Sequence, residues 1–60
     1  MFEFTLFGSQ FKYEDGYIFE KKADYFDAIL ALPRFIDPAE YNCYQLMQIC
    51  KALLEVKAMR

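Results

Sequence analysis

The sequence predicts an α+β fold, a three-stranded antiparallel meander with two helices packed on one face (β-β-β-α-α) and a long C-terminal helix. Three observations carry this. The first twenty residues alternate in polarity and are interrupted by two turn signals, Gly8-Ser9 and Asp15-Gly16. Near the other end, Cys43, Leu46, Met47, Cys50, Leu53 and Leu54 recur at three- and four-residue spacing. Ahead of that stripe, Asp37-Pro38-Ala39-Glu40 has the form of a helix start, with an N-cap, a proline at the first position and an acid three residues after the cap.

The strands are expected at about 2–7, 10–14 and 17–20. Gly8-Ser9 suits a two-residue loop with glycine first, and Asp15-Gly16 is a strong hairpin signal. These loops set a register in which Leu6 faces Phe11, Phe4 faces Tyr13 and Thr5 faces Lys12. Across the second loop Tyr13 faces Ile18 and Lys12 faces Phe19. Opposed residues share a sheet face. One face then carries Phe2, Phe4, Leu6, Phe11, Tyr13 and Ile18 and must cover the core. The other carries Glu3, Thr5, Phe7, Gln10, Lys12, Glu14, Tyr17 and Phe19, with three aromatics that a solvent face does not need.

Residues 23–32 read as a short helix ended by Pro33, with Tyr25, Phe26, Ile29, Leu30 and Leu32 on one side and Asp24, Asp27 and Ala31 on the other. Phe35 and Ile36 are expected to plug the gap between the helices, and Ile36 to staple onto Tyr41. The long helix, 38–58, spans roughly 30 Å at 1.5 Å per residue. A six-residue strand covers only about 20 Å. The helix should therefore overhang the sheet at Glu55 to Arg60, since Lys57 ends the apolar line.

Sixty residues are one domain, 1–60. A chain this short buries only about 60% of its unfolded surface, and large side chains offset that limit. Here seven Phe and five Tyr supply them. Cys43 and Cys50 lie seven apart on one helix, about 10 Å, too far for a disulfide. With no histidine in the chain they cannot complete a four-ligand zinc site unless carboxylates join them. Both read as core thiols in a reducing compartment. No secretory pattern begins the sequence, and its longest apolar run, Ala28 to Leu32, is far too short to span a bilayer. A cytoplasmic protein is expected.

Catalysis is not expected. Ser9 and Thr5 have no histidine to activate them, the acids fall at turns and helix starts, and Gly8 and Gly16 lack phosphate-loop spacing. No cofactor is expected either. The formal charge is −2, with eight acids against four bases over residues 1–40. That balance disfavours direct nucleic-acid binding, which needs a basic face. It favours a larger protein partner with a basic surface.

The candidate contact residues are Phe7, Lys12, Tyr17 and Phe19 on the back of the sheet and Tyr44 on the long helix. Glu3, Glu14, Asp15 and Glu20 are the acids placed to steer association. The edge strands offer unpaired rims as a further surface. The expected function is that of a small non-enzymatic interaction module that binds and blocks or modulates its partner. In size, acidity and strand-then-helix layout the chain resembles the small inhibitors made by phages and other mobile elements, including anti-CRISPR proteins. The alternatives are a homodimer completing a small core, and a nucleic-acid binder reading through Lys12, Lys21, Lys22 and the aromatics.

Overall fold

A computed structural model describes residues 2–59. Met1 and Arg60, the latter expected at the free end of the helix, lie outside the described residues. Four strands, β1 (Phe2–Leu6), β2 (Ser9–Glu14), β3 (Tyr17–Lys21) and β4 (Phe26–Ala31), form one antiparallel sheet in the order β1-β2-β3-β4. A 3-10 turn, Pro38–Glu40, precedes α1 (Cys43–Ala58), the single α-helix among the described residues. The architecture is thus β-β-β-β-α, which corrects the expected three strands and two helices.

The segment expected as the first helix is β4, and a bulge explains the misreading. Tyr17 pairs with Ala31 and Ile18 with Leu30, whereas Phe19 pairs with Ala28 and Glu20 with Asp27. Ile29 is the extra residue. A bulge inserts one residue without a cross-strand partner, which here turns Ile29 as well as Leu30 toward the core. Ile29, Leu30 and Leu32 then all pack on the core, which breaks strand alternation, while Phe26, grouped with them by the helix expectation, lies on the opposite face beside Lys12.

The first hairpin is also corrected. Its loop is Phe7-Gly8 rather than Gly8-Ser9, so Phe4 pairs with Phe11, Phe2 with Tyr13 and Glu3 with Lys12. The shift is an even number of positions, so every side chain keeps its face. Phe4, Phe11 and Ile18 are buried on the side expected to cover the core, against Cys50 and Leu54 of α1, and Leu46 of α1 is buried as well. Phe2, Leu6, Tyr13, Ile29, Leu30, Leu32 and Met47 pack around them. Burying Phe4, Phe11, Ile18 and Leu54 at about 1.5–3 kcal/mol each, with Cys50 between them, is the main term holding α1 to the sheet.

The helix begins later than expected. Asp37 does cap, its Oδ1 accepting from the Ala39 amide at 3.0 Å, but it starts only the 3-10 turn. Tyr41 is then extended, and Asn42 opens α1 with a reciprocal box. Its Oδ1 accepts from the Gln45 amide at 2.8 Å, while Gln45 Oε1 accepts from the Asn42 amide at 3.0 Å. Two residues with equal claims to a cap lie five apart, and the chain uses both. Cys43, expected in the core, is exposed at the start of α1, and Phe35, expected as a plug, is 88% exposed. No helix among the described residues is long and apolar enough to cross a membrane.

Candidate functional site

One end of the sheet gathers the features that the fold itself does not require. In the Phe7-Gly8 loop both residues have positive φ, 54° and 76°, the type I′ geometry that matches strand twist. Gly8 accepts this without strain. Phe7 does not: in an L-residue the left-handed conformation brings Cβ against the following carbonyl, at about 1–2 kcal/mol. Asparagine or aspartate relieves part of that cost by local hydrogen bonding, and a phenyl ring cannot. Nor is the cost recovered by burial, because Phe7 is 61% exposed.

The last turns of α1 come up beside this tip. Phe7, Leu54, Glu55, Ala58 and Met59 line an apolar groove of about 450 Å³, and Met59 is 85% exposed. A second cleft of about 600 Å³ adjoins it, reaching across Phe11, Glu20 and Ile29 toward Lys57. The expected overhang is therefore not free. Lys57 Nζ donates to the Ile29 carbonyl at the β4 bulge, so the charged residue that ends the apolar stripe also fastens the end of α1 to the sheet.

The back of the sheet is arranged differently. Lys12 Nζ lies 5.0 Å from the Phe19 ring centre and 4.6 Å from that of Phe26, and bonds Glu14 at 3.1 Å. Each cation–π contact contributes about 0.5–1 kcal/mol at such a site. The ammonium is shared between the two rings, which gives Phe19 a structural role on this face. Tyr17, half exposed beside them, is the ring left open.

The residues singled out from sequence do not form one patch. Tyr17, Phe19, Lys12, Glu3 and Glu14 share the back of the sheet, whereas Phe7 stands at the hairpin tip with α1. Tyr44 is two-thirds exposed near the start of α1, in the other layer. Asp15 is in the second turn, and Glu20 lies on the cleft side, where it bonds Lys22 at 3.1 Å. That carboxylate, by its hydrogen bond and its charge, holds the Lys22 ammonium above its usual range. Sequence reading missed Phe26 behind Lys12 and the Leu54, Ala58 and Met59 wall beside Phe7. The available signal was an aromatic directly before the first hairpin glycine.

No group of three or more metal-ligating side chains converges among the described residues. Burial pushes the Cys50 thiol up to about 11, which leaves it protonated and unreactive at neutral pH. Comparison with known protein families, curated proteins and solved structures finds no match to this chain.

Proposed function

We propose that the protein is a non-enzymatic binding module that docks on a larger protein and blocks or modulates it, with Phe7 and the end of α1 as its contact. The observation that carries this reading is Phe7 itself. It is a bulky aromatic held at φ 54° and left mostly in solvent, costly to the fold on both counts. Strained residues persist where the surroundings over-determine them, and they concentrate at ligand contacts. Phenylalanine and methionine beside an apolar groove are the side chains that interface cores favour.

The excess of acids favours a partner with a basic surface, through attraction that speeds encounter and weakens with salt. Both cysteines are free, which suits a reducing cytoplasm. Such a module acts in the manner of the small inhibitors of mobile elements, by occupying a surface rather than by chemistry. The back of the sheet is the second reading, favoured by the open ring of Tyr17.

The two readings separate with immobilised wild-type protein, Phe7→Asn and the Tyr17→Ala/Phe19→Ala pair, each exposed to lysate of the native host. A partner retained by wild type and by the sheet-face pair, but lost on Phe7→Asn, is the expected result. Retention of that partner by Phe7→Asn would overturn the tip reading.

A further inference from the structure

The two rims of the sheet differ. On the β4 side the bulge at Ile29 distorts the strand, and Lys57 occupies the Ile29 carbonyl, so a further strand is discouraged. The β1 rim has neither device, and Phe2–Leu6 contains no bulge, proline or lysine. The register says which groups this rim offers. In a two-residue hairpin the residues flanking the loop exchange both hydrogen bonds, and the pattern then alternates. Leu6, Phe4 and Phe2 thus bond inward to β2. The N–H and C=O groups of Glu3 and Thr5 point away from it, and among the described residues no backbone bond outside the ladder engages them.

The geometry points to a second copy of this chain as the occupant of that rim, with β1 pairing antiparallel to its own copy about Phe4. The inference is independent of the tip reading. In this register Glu3 meets Thr5 of the copy as a hydrogen-bonded pair, twice over by the two-fold symmetry. Phe4 meets Phe4 of the copy at a non-hydrogen-bonded position, where side chains approach closest. Phe2 meets Leu6 of the copy, and both are only partly buried on the core face. The polarity of Phe2-Glu3-Phe4-Thr5-Leu6 reads alike in both directions, as an isologous contact requires.

Other registers fail for identifiable reasons. A slip of one residue sets outward-bonding groups against inward-bonding ones and turns the apolar face to the wrong side. A slip of two in one direction sets Glu3 directly opposite Glu3 of the copy, a like-charge pair that is destabilising. The same slip in the other direction runs the pairing into the Phe7-Gly8 turn. The helices give a supporting contact. Leu53 and Val56 line a groove with Leu30 of β4. At 100° per residue the opposite flank of α1 carries Tyr44, Met47 and Lys51. Of the four strands, α1 approaches β1 most closely, so in the dimer that flank borders the copy and the exposed Tyr44 acquires a neighbour.

The test uses charge at exposed positions of the solvent face, where no substitution disturbs a buried side chain, and the Thr5 variants leave the Glu3–Lys12 pair of the monomer intact. Wild type, Thr5→Lys, Thr5→Glu and Glu3→Lys/Thr5→Glu are compared by sedimentation equilibrium over a dilution series, with circular dichroism confirming that each folds. Wild type is expected to self-associate. Thr5→Lys places opposite charges across both pairs and tightens the dimer, by roughly 2- to 30-fold. Thr5→Glu loosens it by a similar factor, and the double variant restores it. A wild-type protein that stays monomeric at every concentration overturns the proposal. So does a dimer of equal strength in all four proteins, or a monomer whose rim takes up the strand of a different protein.

Discussion

The two hairpin turns have nearly the same backbone and opposite relations to their sequence. Phe7-Gly8 has φ of 54° and 76°, and Asp15-Gly16 has 53° and 84°. Both are two-residue loops, and neither glycine has a neighbour within 4 Å of where a Cβ would stand. They differ in the first residue. Aspartate is what the I′ geometry favours, and the Asp15 turn is tied down further by the Leu32 amide donating to the Gly16 carbonyl at 2.9 Å. Phenylalanine is what that geometry disfavours, and it shares an open apolar groove with the exposed end of α1. One turn therefore agrees with its fold at every level. The other departs from local preference, as functional sites do when they trade stability for contact.

The comparison weakens if the tip end of the molecule is simply better packed than its exposure suggests. Leu54, buried in the core and lining both clefts beside Phe7, gauges this. Leu54→Ala is expected to cost about 2–4 kcal/mol in a denaturant titration, most of the stability of so small a domain. Phe7→Ala should cost far less. Comparable losses from the two would make Phe7 a core residue, and the contrast between the turns would lose its functional meaning.

The glycines supply the control. Gly8→Ala and Gly16→Ala each force a Cβ into the left-handed region with open space around it, so each is expected to lose about 1 kcal/mol. Equal losses show that the two backbones are energetically alike and that the difference lies in the first turn residue. A much smaller loss at Gly8 would mean that the tip relaxes out of the I′ form, removing the strain assigned to Phe7.

How much of this was legible in the sequence follows from what survives small errors. The sheet faces were legible because alternation has period two, and a loop misplaced by one residue at each strand end shifts the pairing by an even number. Phe4, Phe11 and Ile18 therefore face the core in either register. The fourth strand was not legible because the bulge at Ile29 replaces the strand period with one that imitates a helix. The helix start was half legible: Asp37 does cap, but Asn42 and Gln45 form the box that opens α1, and the sequence offers no basis for ranking the two. Phe7 was legible as a residue out of keeping with its surroundings. Its location was not, because assigning it to a strand put it on the back of the sheet with Tyr17 and Phe19. The Lys12 clamp was hidden for the same reason, since Phe26 reaches that face only when 26–31 is a strand.

The reciprocal exchange of the two first turn residues is the smallest expected effect and the most direct. Phe7→Asn places a residue tolerant of positive φ at the tip, and Asp15→Phe builds the disfavoured form into the other turn. The first is expected to raise stability by about 0.5–1 kcal/mol and the second to lower it by a similar amount. For a domain of this size that corresponds to melting shifts of roughly 2–8 °C in opposite directions. Opposite signs would mean that the wild-type tip holds a residue chosen against folding, so its selection lies in what the ring touches outside the chain. Equal losses from both exchanges would mean that the ring against Leu54 and Met59 offsets its own backbone cost. Phe7 would then be a local packing device, and the open ring of Tyr17 would become the better candidate for the contact.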